Sequence, residues 1–405
     1  MNKRRGRGEG SVFQRKDGAW CGVVTIGYDA TGKRRRRYIY GATKTETLER
    51  LTRLQHAKFT GELGEPTRFT VAAYLRHWLE TAARPAIRES TYTSYATLIR
   101  VHIIPCIGGV ALSKLAPVHL EHWLADMEKA RASARRQQMA YRVLSQALRR
   151  AVRLSLVPRN VCHAVTCPRP PKKTVESLTP EQAHKLLQAV RGDRLEALYV
   201  LATTTGMREG ELFGLQPDDL DLKNGRLFVR QQLSEVGSRL WLAPPKTAKA
   251  RREIRLPELA MHALREHRKR MLAEGHWGTD GLVFCDTAGG PLRKSNFLRR
   301  EWHRQLERAG LFRVEPFIDP RTGQTIIDPD TGVSKTKKVF APFHITRHTA
   351  ATLLLKQGVH PRVVQEMLGH SSIAVTMDTY SHVLPSMGAE AAAKMDALFV
   401  SRSNP

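Results

Sequence analysis

Acidic residues are few in this sequence. Among its 405 residues, 38 Asp and Glu stand against 66 Lys and Arg, a formal charge of +28 at pH 7. A surplus of that size repels itself in a compact chain unless a polyanion offsets it. With a sequence pI near 10.4, the polyanion expected is nucleic acid, and a membrane surface is the poorer match. Cysteine is also scarce: Cys21, Cys106, Cys162, Cys167 and Cys285 form an odd, scattered set. That excludes a disulfide framework and fits a reducing compartment. Cys162 and Cys167, with His163 between them, have no second Cys/His pair at zinc spacing, so they are read as incidental and no metal is expected. No run of about 18 apolar residues is present, which excludes a membrane-spanning helix. The basic start MNKRRGRGEG is followed by no apolar stretch, so secretion is not expected. Aromatic residues are only 7%, but apolar residues reach 41%, enough for sizeable cores and too many for a disordered basic tail.

At roughly 100–200 residues per domain, a chain this long is expected to hold two to four domains. Residues 1–60 carry 15 Lys and Arg against 5 Asp and Glu. They read as a strand over Ser11–Arg15, an Asp17-Gly18 hairpin, a strand over Trp20–Tyr28, a turn at Asp29–Gly32, and a strand over Arg34–Tyr40. A helix from about Thr43 to Phe59 follows. Arg34, Arg35, Arg36 and Arg37 lie side by side on the third strand, giving the small sheet one very basic surface. Ribbons of this size can enter a DNA major groove. The alternative is a solvated charge run, although like charges this close favour a phosphate partner.

After a linker at Gly61–Thr67, residues 68–165 read as a bundle of four helices: Phe69–Thr81, Ser90–Val101 with Ser at the cap and an end before Pro105, Ala116–Ala130, and Ala132–Leu154. The last carries Arg135, Arg136, Arg142, Arg149, Arg150 and Arg153, which are expected to lie along a DNA backbone or to form a solvated face. The segment TCPRPPKKTVES over Thr166–Ser177 is Pro-rich, basic and too short to fold alone, and marks a boundary. Thr179-Pro180-Glu181-Gln182 then gives a capping signal. The remainder is mostly helical, with strands around Asn224-Gly225 and at Leu240–Ala243 and Glu253–Leu256 flanking a basic turn. Within Ile318–Gly332 a unit of the form Ile-Asp-Pro-x-Thr-Gly occurs twice, which favours turns and predicts a protruding β-ribbon or loop. The final segment, Gly388–Val400, is an Ala-rich helix with Met395, Leu398 and Phe399 on one side. The fold class expected is mainly α with small β elements (α+β), divided into residues 1–62, 68–165 and 175–405.

Breaking a nucleic-acid backbone requires a nucleophile, positive charge at the reacting phosphate and a proton for the leaving oxygen. Metal nucleases use clustered carboxylates and divalent ions. The other solution is Arg and Lys, because guanidinium matches phosphate bidentately and stays ionised. The C-terminal half supplies such a set in five segments: Thr205-Gly206-Met207-Arg208-Glu209-Gly210-Glu211-Leu212, Pro245-Lys246-Thr247, His344-Ile345-Thr346-Arg347, Leu368-Gly369-His370, and Asp378-Thr379-Tyr380-Ser381-His382. Singly, each reads as surface charge, capping or packing. Five in this order within roughly 180 residues do not co-occur by chance.

In that order and spacing the segments resemble the tyrosine recombinases, the phage-type integrases. The resemblance implies that Tyr380 attacks the scissile phosphate and becomes a 3′-phosphotyrosine, that Arg208 and Arg347 hold the non-bridging oxygens, and that Lys246 protonates the leaving 5′-hydroxyl. It implies that His344 and His370 assist the proton transfers and the phosphate contacts and that Glu211 supports an arginine; His348 matches a common family residue and is assigned no catalytic role. The phosphodiester energy is conserved, so no ATP is needed, and no G-x-x-x-x-G-K-[ST] loop is present. A bundle like residues 68–165 would be the core-binding domain and the basic sheet the arm-binding domain of the longer integrases. Also implied are a homotetramer on double-stranded attachment sites of core and arm types, an excisionase or other directionality factor, a host DNA-bending protein, a bacterial cytoplasm, and no membrane, metal or cofactor. The two alternatives are a non-catalytic helix-turn-helix regulator, suggested by Lys356–His370, and a chromosome-dimer resolvase or type IB topoisomerase with the same chemistry. One departure from compact family members is the stretch of about thirty residues before His344, ending in Lys335, Lys337 and Lys338, which is expected to touch DNA or a neighbouring subunit, or to be a solvated insertion.

Overall fold

A computed structural model gives the structure of the protein over residues 10–28, 33–59, 69–171, 176–245, 250–278, 281–319, 322–328, 331–380 and 387–400. The chain divides into two compact units, Met1–Lys172 and Lys173–Pro405, each taken by itself here. Among the described residues, no helix is long and apolar enough to cross a membrane.

The first unit opens with an antiparallel sheet, β1 (Ser11–Gln14), β2 (Trp20–Tyr28) and β3 (Arg34–Gly41), followed by α1 (Lys44–Phe59). Asp17-Gly18 makes the first turn, with Gly18 at φ +85°, where a side chain would be strained. The turn expected at Asp29–Gly32 and the linker at Gly61–Thr67 lie outside the described residues. Cross-strand partners share a face of a sheet. Val24 opposite Arg37 and Gly22 opposite Ile39 therefore form one side, where Gly22 closes against Ile39 and Thr47 of α1. Thr25 opposite Arg36 and Val23 opposite Tyr38 form the other. The period of two thus splits the arginine run between faces, where one very basic surface was expected. Arg34, Arg36 and Arg37 are exposed, and the Arg35 side chain lies outside the described ones.

The helical part starts with α2 (Val71–Trp78), capped by the Thr70 hydroxyl accepting from Ala73 N–H at 3.2 Å. A second helix, α3 (Glu89–Leu98), starts after Arg88, so Ser90 lies inside it and not at its cap. It also does not end before Pro105. A π turn over Ile99–Ile103 leads into α4 (Ile104–Ile107), with Ile104 N–H bonded to the Ile99 carbonyl five residues back. The widened turn moves the preceding carbonyls away from the proline ring, the clash that otherwise breaks a helix. Next come α5 (Pro117–Lys129) and α6 (Ala134–Arg153), the latter capped by Ser133. One face of α6 buries Ala140, Val143, Leu144, Ala147, Leu148 and Ala151, and the Tyr74 hydroxyl donates to the Ala147 carbonyl at 2.8 Å. Each large side chain buried this way contributes about 1.5–3 kcal/mol before chain entropy is counted. The opposite face carries Arg135, Arg136, Arg142, Arg149, Arg150 and Arg153, all exposed.

The second unit begins with α7 (Pro180–Ala189), whose Thr179/Gln182 capping box forms as expected. It packs on α8 (Glu196–Thr205), a helix apolar on almost every side and buried from Ala197 to Thr203. A short α9 (Glu209–Phe213) leads to two small sheets made from β4 (Leu220–Asp221), β5 (Arg226–Val229), β6 (Gln232–Val236), β7 (Arg239–Ala243) and β8 (Arg252–Arg255). The strands expected at Leu240–Ala243 and Glu253–Leu256 are β7 and β8, and they belong to different sheets: β7 pairs with β6 and β8 with β5. The reason is burial: the pair Leu227/Ile254 takes β8 into the core. Lys246 lies outside the described residues.

The unit continues with α10 (Glu258–Ala273), α11 (Lys294–Asn296) and α12 (His303–Arg308). Between Gly310 and His344 stands a ribbon, β9 (Phe312–Pro316) paired with β10 (Thr336–Phe340). Its far end closes in a three-way ring: Phe317 N–H donates to the Lys335 carbonyl, Lys335 N–H to Ile326, and Ile326 N–H to Phe317. Beyond that ring the Ile318/Thr325 and Ile327/Ser334 bridges bracket the two Asp-Pro-x-Thr-Gly repeats, of which residues 320–321 and 329–330 lie outside the described ones. Two of the lysines are already paired, Lys335 with Asp328 and Lys338 with Glu307, while Val314, Ile327 and Val333 are exposed. The chain then forms α13 (Ile345–Lys356), α14 (Pro361–Leu368), α15 (Ile373–Tyr380) and α16 (Met387–Val400).

Candidate active site

Two glycine corners build the centre of the second unit. Gly206 ends α8 at φ +63° and Gly369 ends α14 at φ +66°, both in the left-handed region. Neither has room for a side chain: a Cβ on Gly206 would meet Leu368 at 2.6 Å, and one on Gly369 would meet Arg252 at 3.0 Å. Each corner presents a carbonyl to an arginine from elsewhere in the chain. Arg208, just past the first corner, donates from Nη2 to the Gly369 carbonyl at 3.2 Å. Arg347, on the first turn of α13, donates from Nη1 to the Gly206 carbonyl at 2.7 Å and from Nη2 to Leu368 at 2.8 Å. Both guanidinium groups are thereby fixed by backbone.

Beneath them lies Glu211, its side chain 1% exposed, paired with Arg208 at 2.7 Å and with Arg252 at 2.8 Å. Burial alone would raise this carboxyl, but Arg252 and then Arg208 outweigh it and hold the pKa below the usual value. Arg252 is itself 6% exposed and donates to the carbonyls of Met367 and Ala250. Arg347 is buried, and burial followed by the nearby Arg208 pulls its pKa down to about 9, so it is cationic at neutral pH.

His344 caps α13, one turn before His348, and their rings meet edge-on at 4.8 Å. Partial burial of the ring, then His348, Arg347, Arg208 and Lys294, hold His344 at about 4, although its side chain is open to solvent on one side. His370 follows the second glycine corner and shares a 2.8 Å hydrogen bond with the Thr376 hydroxyl. Burial first, then Arg347 and Arg208, bring it to about 4 as well. Both imidazoles are neutral at pH 7.

Tyr380 ends α15, 1% exposed among Ala351, Leu355, Val364 and Leu368. Burial outweighs the nearby charge: the phenol is pushed up to about 12, with Arg347 alone pulling it down. Its hydroxyl lies 2.8 Å from His348 Nδ1. The helix-turn-helix look-alike at Lys356–His370 is the α13–α14 corner, whose Val364 and Leu368 are spent packing against that tyrosine.

The second unit therefore brings Arg208, Arg347, His344, His370 and Tyr380 together, and leaves Arg34, Arg36, Arg135, Arg136 and Arg142 exposed in the first. Two participants escaped the sequence reading. His348 was assigned no role, although its spacing of four from His344 already puts both on one helix face. Arg252 went unnoticed; its signal is the strand period, which turns it to the same side as the buried Ile254.

Residues 176–322 and 328–387 match the phage integrase family, and residues 70–127 match the phage integrase N-terminal SAM-like domain. An integrase of Streptomyces ambofaciens is 29% identical, with 98% of each chain covered. Among solved structures, the Tn1549 transposon integrase in complex with a circular intermediate DNA superposes with a TM-score of 0.64 at 22% identity, covering 82% of this chain and 99% of that one. A lambda integrase tetramer bound to a Holliday junction gives 0.55 at 19% identity, covering 93% and 96%. These two likenesses speak for the fold. With more than half of its length inside the family match, the chain belongs to the phage integrase family and is a site-specific DNA recombinase of the tyrosine class.

Proposed function

We propose that the cluster around the two glycine corners cuts and rejoins DNA through a 3′-phosphotyrosine at Tyr380. The observation that carries this reading is the crossed anchoring of Arg208 on the Gly369 carbonyl and of Arg347 on the Gly206 carbonyl, which holds two guanidinium groups close enough to feel each other's charge. Charge developing on the phosphoryl oxygens at the transition state would meet donors already in place. In the cleavage step the Tyr380 oxygen bonds to phosphorus, the bond to the 5′-oxygen breaks, and Lys246 supplies the proton that oxygen needs. His344 and His370, neutral before DNA arrives, would donate hydrogen bonds to the phosphate and gain proton affinity from its charge. Religation by a 5′-hydroxyl reverses the step, so no ATP is consumed.

The partners follow from the same reading. Residues 68–165 would hold the core-type sites through the α6 arginines Arg135, Arg136 and Arg142. Residues 1–62 would hold arm-type sites through the β3 arginines Arg34, Arg35, Arg36 and Arg37, with residues 175–405 doing the chemistry. Two duplexes and four cleavages call for a homotetramer on DNA, with a directionality factor and a DNA-bending protein choosing the outcome. The task assigned is integration of a phage or other mobile element, and its reversal with a partner.

A nicked duplex that loses its 5′-hydroxyl fragment on cleavage tests the core of this. The protein is expected to become covalently attached to the labelled strand, and Tyr380→Phe to abolish the adduct. A regulator without chemistry would give no adduct from either protein.

A further inference from the structure

The resting phenol poses a problem that the cations do not solve. At a pKa of about 12, roughly one Tyr380 in 10⁵ is ionised at neutral pH. Some group has to take the proton as the bond to phosphorus forms. His344 and His370 do not touch the hydroxyl: His370 Nδ1 is committed to Thr376, and the His344 ring packs against His348. Among the described residues, the imidazole on the reacting oxygen is that of His348, at 2.8 Å.

We propose that His348 is the proton acceptor for Tyr380 in strand cleavage and the proton donor to it in religation. In the forward step the Tyr380 O–H bond breaks and its proton passes to His348 Nδ1. The freed electron pair makes the bond to phosphorus, and the 5′-oxygen leaves with the proton assigned above to Lys246. In the reverse step the 5′-hydroxyl gives its proton back to Lys246 and bonds to phosphorus, displacing the tyrosine oxygen, which recovers its proton from His348. The inference rests on the phosphotyrosine reading and adds a residue to it.

The surroundings suit the task. Helical spacing carries His344, Arg347 and His348 on the first turns of α13, and Ala351 and Leu355 continue towards the floor under the phenol. Among the described residues, the titratable and charged groups facing His348 are Arg347 and His344 from its own helix, Tyr380 from α15, and His370 from the segment after α14. Burial, then Arg347, lower the His348 pKa, which keeps the ring neutral and free to accept. A weak base cannot ionise a buried phenol beforehand. It can take the proton while the P–O bond is forming, because the oxygen loses basicity as it is phosphorylated.

Single-turnover cleavage of the nicked attachment-site duplex at saturating full-length protein tests the assignment. His348→Asn keeps a hydrogen-bond acceptor near the Nδ1 position but takes up no proton, and His348→Ala removes both. Both are expected to slow cleavage by about a hundredfold or more, with duplex binding unchanged. Their rates should climb about tenfold per pH unit above neutrality, where the wild-type rate is flat, and added imidazole should restore His348→Ala. A duplex with sulfur in place of the scissile 5′-oxygen, whose thiolate leaves without a proton, should rescue Lys246→Ala but neither His348 variant. Wild-type cleavage by His348→Asn would overturn the proposal, as would a pH-independent loss in both variants or rescue by the sulfur substrate. If the wild-type protein gives no adduct, or Tyr380→Phe retains one, the phosphotyrosine reading itself has failed and not this addition to it.

Discussion

On α6 of the first unit, Arg135, Arg136, Arg142, Arg149, Arg150 and Arg153 all reach into solvent, over a face whose reverse side is packed apolar core. In the second unit, Arg347 and Arg252 are buried, and Arg208 is half out of solvent, each tied to a carbonyl or to Glu211. The same side chain serves two purposes, and its surroundings decide which. An exposed guanidinium can follow a phosphate and release a counterion, and losing one costs a share of affinity. A buried guanidinium has lost its hydration, so it persists only where fixed acceptors replace water, and those acceptors also aim it.

Three substitutions put that contrast at risk. The largest effect is expected from Arg347→Ala, which on the proposed reading removes a fixed donor from the reacting phosphate: single-turnover cleavage should fall about 10²–10³-fold while duplex binding changes little. A loss in binding with normal cleavage at saturation would make Arg347 an ordinary phosphate contact and erase the distinction. Next, Glu211→Gln leaves Arg252 and Arg208 without their counter-charge, and chemical denaturation should show a loss on the order of 3 kcal/mol. The pH dependence sharpens this. Because the folded Glu211 pKa is depressed, its contribution is complete above the unfolded value of about 4.3 and is lost as pH falls through the folded value. The gap between wild type and Glu211→Gln should therefore be constant at neutral pH and close only in acid. The smallest effect belongs to Arg142→Ala. Binding should weaken modestly, with the slope of log affinity against log salt shallower by about one and cleavage at saturation unchanged. An unaltered slope would mean that its exposure does not signal a phosphate contact.

Local signals were the ones legible in the sequence. Thr179 with Gln182, and Gly18 and Gly225 at turns, act through a few neighbouring backbone atoms, and each stands where the residues put it. The tandem Asp-Pro-x-Thr-Gly units gave away turns but not their closure, because the ring through Phe317, Ile326 and Lys335 is made of backbone bonds that any residues could form. Pro105 misled for a related reason: a proline usually marks an end, and only the widened turn ahead of it lets the helix pass. The site residues were visible as types and spacings. Their electrostatics were not. That the Tyr380 phenol rises, and does not fall, depends on Ala351, Leu355, Val364 and Leu368 closing over it from two other helices.

The crossed seating of Arg208 and Arg347 also bears on when this protein could first damage DNA. Arg208 leans on the Gly369 carbonyl as well as on Glu211, and Arg347 on the carbonyls of Gly206 and Leu368, so each is aimed in part by residues far from it in the chain. A ribosome-bound polypeptide that has already emerged past Arg347 would own both arginines and still be chemically mute. The seats arrive only with Leu368 and Gly369, and a product that stops short of them would carry both arginines unaimed.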